Sequence, residues 1–371
     1  MSAESPLVSI VISAYEGLNY LPATVDTILQ QSCDDLEIIV FSDDCRQLHS
    51  WFKRQPDCRL RFILQSNLGL ATTLNEGILE ARGKYIAFIN PGDLWHPSKL
   101  QKQVSLLDRN SHVGLVHSES MLIDYLGHST GKIIRSGCSN AVANTLVPDV
   151  LQRSEILAQN QFVFSSVMVR RDCFEKVGLF DPQLKIIPDW EMWIRLGDRH
   201  FSMTIAEPLV YCRQHQLSNQ DNWLTLELDL QKIIEQVYAL IPLEQEAREK
   251  QKQLSYSYAS LFLAQEMLQH KTPDPLIARN YLYQALQHQP LICLSLEFCY
   301  LRWDVFALSC RQSDRYRDLV KLAQTLAAQI KAIAAKTRAQ AQIMLNWMLE
   351  EEESINFWKS RKVKQQGKIK N

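Results

Sequence analysis

The sequence predicts an α/β layer with a mostly parallel sheet over about residues 1–220, followed by an all-α region. Three observations lead there. Short, apolar, β-branched runs alternate with helical stripes through the first ninety residues, the pattern of strands joined by helical crossovers. Strand-like runs stop near residue 220. Beyond that point, stripes of three- and four-residue spacing are punctuated by Pro242, Pro273, Pro275 and Pro290.

Val8-Ser9-Ile10-Val11-Ile12 is mostly apolar, as a strand buried on both faces must be. Leu21, Val25, Ile28 and Leu29 then recur at helical spacing, with Pro22 tolerated in the first turn. Leu36 to Phe41 reads as a second strand and Arg61 to Leu64 as a third. Leu70, Leu74, Gly77, Ile78 and Ala81 form the next helical stripe, closed by Gly83, and Tyr85 to Ile89 is a fourth strand. In the second half, Leu224 to Tyr238, Tyr256 to Leu268, Leu276 to Gln287 and Ile292 to Ala307 are predicted helices. The third carries Ala278, Tyr281, Ala285 and a closing Pro290 in the manner of a tetratricopeptide helix. No second copy follows at a fixed period, so a plain bundle is the expected arrangement. From Ser313 or Asp314, Leu319, Leu322, Leu326, Ile330 and Ile333 predict a helix ~60 Å long if unbroken. The expected organisation is therefore an α/β domain over 1–220, a bundle over 221–312, and a long helix with a basic tail over 313–371.

Composition narrows the function classes. The chain of 371 residues is 46% hydrophobic and 22% charged, ordinary for a globular protein and unlike a disordered or collagenous one. Forty basic against 41 acidic residues leave a formal charge of -1, so no global field attracts nucleic acid. The last thirteen residues nevertheless hold Lys359, Arg361, Lys362, Lys364, Lys368 and Lys370 and no acid, which leaves 34 positive against 41 negative elsewhere. No apolar run approaches the ~18–20 residues that span a bilayer, and MSAESP carries no basic residue before its first apolar run, which predicts no signal peptide. Nine scattered cysteines without a Cys-x-x-Cys read as reduced thiols of a cytoplasmic protein.

In an open parallel sheet, ligands bind beyond the carboxyl ends of the strands. Three polar groups fall there: Ser13 to Glu16, Ser42-Asp43-Asp44, and Asn90-Pro91-Gly92-Asp93. Converging acids suit a phosphate-bearing ligand with a hard divalent cation. Each acid alone is also a good turn former.

Here a resemblance becomes specific. VSIVISAYEGLNYLPATVDTILQQS, DLEIIVFSDD and NLGLATTLNEGILEARGKYIAFINPGDLWHPSKL resemble the family 2 glycosyltransferases of GT-A fold. FSSVMVRRDCFEKVGLFDPQL, IIPDWEMWIRL and PLVYCRQHQLS continue the likeness to about residue 220. The resemblance implies sugar transfer, with inversion, from a nucleoside diphosphate sugar (a UDP-sugar by preference) to a saccharide or lipid-linked acceptor. It implies that Ser13 and Tyr15 line the nucleotide pocket, that Asp43 accepts a hydrogen bond from the base with Ser42 beside it, and that Asn67, Gly69 and Asn75 lie over the nucleoside. Asp189 matches the catalytic base, and a carboxylate there suits removal of the acceptor hydroxyl proton. Trp190 and Trp193 are candidates to stack on an acceptor sugar, although Trp193 shares a core-like stripe with Leu196. Arg213 is a candidate to neutralise the departing diphosphate, and His215 matches a histidine that reaches the diphosphate or its cation.

Two departures stand out. The family's Asp-x-Asp-Asp metal motif reads Asn90-Pro91-Gly92-Asp93. Asn90 retains a hydrogen bond for ribose, while Gly92 has no ligand to offer. Asp93 with His215 then either holds Mn2+ or Mg2+ weakly or belongs to a turn that has lost its metal. The Glu that usually precedes the base is Pro188, so a supporting partner is missing, with Glu191 a candidate substitute. Neither the Gln-x-x-Arg-Trp motif nor the membrane helices of processive members occur, which implies one sugar per encounter. The competing class is a non-catalytic binding or scaffold protein with a degenerate metal turn. The C-terminal helices and basic tail are expected either to contact a membrane face or a protein partner, or to stay solvated with no partner.

Overall fold

The computed structural model of the chain describes residues 5–15, 18–42, 51–55, 57–66, 68–134, 160, 162–214, 222–240, 243–269, 273–295, 301 and 304–305. The predicted long helix from 314, the basic tail, Asp43, Asn67 and His215 lie outside them.

Strand β1 (Val8–Ser13) pairs in parallel with β2 (Leu36–Ser42) and with β4 (Tyr85–Phe88), and β2 pairs in parallel with β3 (Leu60–Leu64). The pairing Ser13 with Phe41 and Val11 with Phe88 brings the carboxyl ends of β1, β2 and β4 to one edge. β1 and β2 are apolar almost throughout because helices cover both faces of the sheet. On one face lies α1 (Leu21–Leu29), whose Val25 and Ile28 meet Ile10, Ile12 and Ile38. On the other lies α2 (Leu70–Glu80), whose Leu74 and Ile78 meet Val11, Ile39 and Phe88. Gly77 permits that approach, since a Cβ there would stand 2.3 Å from Val11 Cγ1.

The sheet then changes direction. After β5 (Leu94–Trp95) and α3 (Lys99–Arg109) come β6 (Val113–Ile123) and β7 (Ser129–Ile134), an antiparallel hairpin. β8 (Met168–Arg170) runs antiparallel to both β4 and β6, and α4 (Arg171–Val177) follows. After α5 (Pro188–Arg199), β9 (Phe201–Arg213) lies parallel to β6 and antiparallel to β5. The order is β3-β2-β1-β4-β8-β6-β9-β5, with β7 on β6. Each strand predicted in the first ninety residues is present, and the second half of the sheet adds antiparallel members to the parallel ones.

At the amino edge, Glu37 forms a buried polar knot. Its carboxylate accepts from Ser9 Oγ at 2.7 Å, Arg82 Nη2 at 2.7 Å and Arg61 Nη1 at 3.0 Å. Burial works to raise this carboxyl, but the bonds from Arg82, Ser9 and Arg61 outweigh it and hold it below the ordinary value of 4.5. A depressed acid stabilises the fold above its unfolded value, and that contribution is lost as pH falls through the folded value. Glu37→Gln should cost ~1–2 kcal/mol near neutral pH and flatten the acid side of a melting-temperature profile. An unchanged acid slope would remove Glu37 from this role.

From Asn222 every described element is helical: α6 (Asn222–Leu240), α7 (Gln245–Gln269) and α8 (Pro275–His288). Leu230, Ile233 and Ile234 of α6, Leu261 and Ala264 of α7, and Ala278, Tyr281 and Ala285 of α8 share one core. Asp274 caps α8 by accepting from the Leu276 and Ile277 amides, with Pro275 in the first turn. Two boundaries differ from the sequence reading. α7 begins eleven residues before the predicted Tyr256, because its polar first turns carry no apolar stripe. The predicted helix at Ile292 opens instead as a 3-10 turn, Pro290–Leu294. Among the described residues, no helix is long and apolar enough to cross a membrane.

Candidate active site

Several of the predicted residues lie at the carboxyl edge of β1, β2 and β4. Ser13 ends β1 and the buried Ser42 ends β2. Past them, Ala14 donates to the Phe41 carbonyl at 2.8 Å and Gln65 to the Ser42 carbonyl at 3.0 Å, which fixes the two strand ends side by side. Gly69 precedes α2 with φ +88°, a conformation that favours glycine, and open space lies where a Cβ would stand. Thr73 Oγ1 stands 3.1 Å from both the Tyr15 hydroxyl and the Gly69 carbonyl oxygen, so the loop after β1 and the first turn of α2 are tied together.

Asn75 is committed elsewhere. Its Nδ2 donates to the Phe180 carbonyl at 2.9 Å and its Oδ1 accepts from the Phe180 amide at 2.8 Å. Both ends of the amide thus clamp α2 to the segment before α5, and a contact to a nucleoside would have to break that clamp.

The turn at Asn90-Pro91-Gly92-Asp93 is built from hydrogen bonds. Thr24 of α1 accepts from the Gly92 amide and donates to the Asp93 carbonyl, both at 2.9 Å. Gly92 has φ +107°, and its carbonyl accepts from Arg213 Nε at 2.8 Å. The Asp93 carboxylate is 1% exposed. Its Oδ1 accepts from the Arg213 amide at 2.8 Å and its Oδ2 from Ser165 Oγ at 2.5 Å. Ser165 in turn accepts from the Asn90 amide at 3.0 Å. Both Asp93 oxygens thus point inward and hold the turn together. Among the described residues, no group of three or more His, Cys, Asp or Glu could hold a metal ion. Both Asp93 oxygens are already engaged, and His215, the other candidate ligand, lies outside the described residues.

Arg213 is the turn's fastener rather than an open cation. Besides Gly92 it reaches the carbonyls of Asp124 at 3.1 Å and Tyr125 at 3.0 Å, and its guanidinium lies 4.4 Å from the centre of the Tyr20 ring. It joins the turn, the tip of the β6–β7 hairpin and the start of α1. A phosphate would have to compete with those carbonyls for it.

Across the edge stands Asp189, in the first turn of α5. Burial raises its carboxyl above the ordinary value of 3.8, against the pull of Asn160, the backbone amides of Trp190 and Asp189, and Trp193. Asn160 Nδ2 donates to Asp189 Oδ2 at 3.0 Å. The Trp193 indole N–H is buried without a hydrogen bond of normal geometry, so its pull is a weak one. Asn160 also accepts from the Phe162 amide, and the 3-10 turn Phe164–Ser166 follows, carrying Ser165 to Asp93. Asn160 and residues 162–166 thus link the acid to the Asn90–Asp93 turn. The two tryptophans are core residues: Trp190 packs among the helices of the C-terminal region, and Trp193 against Phe88 and Phe180. Glu191 pairs with Arg195, at 2.5 Å and 2.7 Å, instead of supporting Asp189.

Sequence reasoning passed over Thr24, Asn160 and Ser165. Ser165 sits within a quoted motif, but its hydroxyl becomes informative only once Asp93 is seen to turn inward.

The mostly parallel sheet, the turn after β4 and the helix start at Asp189 make up an architecture of GT-A type. Residues 9–134 match the family model for glycosyl transferase family 2. It is 28% identical over 200 residues to an uncharacterized glycosyltransferase of Rickettsia prowazekii, covering 52% of this chain and 58% of the relative. A second such protein, from Methanocaldococcus jannaschii, is 27% identical over 232 residues, covering 60% and 74%. The chain spans less than two thirds of the length of the Rickettsia relatives from R. prowazekii and R. typhi, at 58% and 65%. Residues 1–349 of Staphylococcus aureus TarS, solved in complex with UDP, superpose with a TM-score of 0.53 at 15% identity, covering 84% of this chain and 93% of TarS 1–349. The same fragment in complex with UDP-GlcNAc gives 0.53 at 14%. These likenesses show the GT-A fold.

Proposed function

We propose that the chain is an inverting glycosyltransferase that moves a sugar from a nucleoside diphosphate sugar, in first place a UDP-sugar, to a saccharide or lipid-linked acceptor. The observation that carries this is Asp189: a carboxyl raised by burial, oriented by Asn160, and linked through Asn160 and Ser165 to the turn after β4. A raised carboxylate is the stronger base, which suits its task. The acceptor hydroxyl gives its proton to Asp189. Its oxygen bonds to the anomeric carbon as the bond to the diphosphate breaks, and that electron pair leaves with the nucleoside diphosphate. The family match over 9–134, and UDP and UDP-GlcNAc in complexes of a protein of the same fold, support the donor class.

In this reading Ser13, Tyr15, Ser42, Asp43, Asn67, Gly69 and Asn90 serve the nucleotide, Asn75 clamps α2, and Arg213 and Asp93 shape the turn. No step is routed through a cation. The contrasting reading, a binding protein without catalysis, is favoured by the inward-turned Asp93.

The test is a thermal-shift panel of nucleotides. UDP at a hundredfold its dissociation constant should stabilise the protein by ~2.7 kcal/mol. Asp43→Ala should abolish that shift, because an unpaired base N–H then enters the pocket. A panel without any shift would overturn the donor class. A shift that survives in the variant would remove Asp43.

A further inference from the structure

We propose that Asp229, in the helical region, is a positioning residue for Asp189. The inference rests on the reading of Asp189 as the base.

α5 begins without a cap of its own. Ile187 stands at the N-cap position with no side-chain hydrogen bond, and Pro188 at the first helical position has no N–H. The three residues leading into the helix therefore present amides that need acceptors. Asp229 Oδ2 meets all three: Lys185 N at 2.8 Å, Ile186 N at 2.7 Å and Ile187 N at 3.4 Å. Asp229 is 4% exposed and belongs to α6, some forty residues further along the chain. A buried carboxylate that accepts several backbone amides forms charge-assisted bonds, roughly twice as strong as neutral ones.

Other contacts from the same helix hold the same segment. Lys232, one turn on, bridges Asp181 Oδ2 at 3.2 Å and Gln183 Oε1 at 2.7 Å. Leu184 and Trp190 are buried in the core that α6 shares with α7 and α8. Residues 181–190 thus arrive at the site already attached to α6. Positioning matters here because a misplacement of ~1 Å at a reacting group can cost ~10²-fold in rate. The helical region is on this account a working part of the site, and a partner that shifts α6 would act on the base.

The closing experiment reads the Asp189 carboxyl directly, so that it stands apart from the success of any donor. Full-length protein with 13C-labelled aspartate carboxyls is titrated by NMR, with the Asp189 resonance assigned from Asp189→Asn. Wild type should titrate above the ordinary 3.8. Asp229→Ala should bring the midpoint back toward that value, because freed amides let water reach the carboxyl. Asp229→Asn should fall between, its amide oxygen being a weaker acceptor, and it serves where the alanine variant fails to fold. Ser257→Ala, which removes the bond from Ser257 to the Ala285 carbonyl inside the helical region, is the control for general destabilisation. It should lower the melting temperature and leave the midpoint in place. With a working donor and acceptor, Asp229→Ala should lower kcat by ~10–100-fold with KM within about twofold. An Asp189 midpoint unmoved in both Asp229 variants, or moved equally by Ser257→Ala, overturns the proposal. A moved midpoint with full turnover in Asp189→Asn would instead overturn the assignment of the base while leaving the coupling intact.

Discussion

Asp189→Asn should leave nucleotide binding unchanged and lower sugar transfer at least ~100-fold. The amide keeps the shape of the carboxylate, so the helix start and the contact to Asn160 survive, but it cannot take the acceptor proton. Because binding is spared, the loss should appear in kcat, with KM for the donor little altered. The pH profile carries a second signature. Burial raises the Asp189 carboxyl, so the acid limb of kcat/KM should lie above the ordinary aspartate value of 3.8. A raised acid is protonated, and therefore unable to serve as base, over a wider range on the acid side. The same shift means that the ionised carboxylate is disfavoured in the fold, so its contribution to stability declines as pH rises from 3.8 through the folded value. A variant with near wild-type turnover would place the base elsewhere.

Arg213→Met should destabilise the protein by about 3 kcal/mol. Methionine preserves much of the volume and the backbone amide that holds Asp93, and it removes every guanidinium contact. The carbonyls of Gly92, Asp124 and Tyr125 lose their donor together, and the Tyr20 ring loses its cation. A carbonyl stripped of its partner in a buried place costs ~1–3 kcal/mol, and water entering at the sheet edge recovers part of that. Urea unfolding measures the loss. Hydrogen exchange across residues 124–127 should rise in the same variant, since the hairpin tip is one of the parts fastened. Unfolding midpoints equal to wild type would show that Arg213 is held open for a ligand after all. Gly92→Asp is the informative companion: at φ +107° an aspartate is strained, so the substitution should cost stability without creating a cation site.

The contrast between Asp189 and Arg213 shows what was legible in the sequence. Buried parallel strands advertise themselves as continuous apolar runs, so β1, β2, β3 and β4 were readable, and with them the carboxyl edge of the sheet. The antiparallel second half of the sheet was not, because β8 is three residues long and β6 mixes buried serine and histidine with apolar residues. Asp189 was found through its motif. Asp93, Arg213 and Asn75 sit in matching motifs too, but a motif gives residue type and spacing, and it leaves open whether a polar side chain faces the ligand or the backbone. Here all three are engaged with their own fold. Asp229 was beyond reach for another reason. Its worth lies in three amides some forty residues away, and nothing in the local sequence of α6 distinguishes it from the other acids of that helix.

In the proposed function, a nucleotide sugar binds at an edge whose turn after β4 is fastened by Arg213. Isothermal titration calorimetry of UDP into the full-length protein, with excess chelator and then with excess manganese, tests it most directly. The account predicts binding in both conditions, with an affinity gain from manganese of less than about tenfold, ~1.4 kcal/mol. Binding that appears only with manganese, or no binding in either condition, would contradict it.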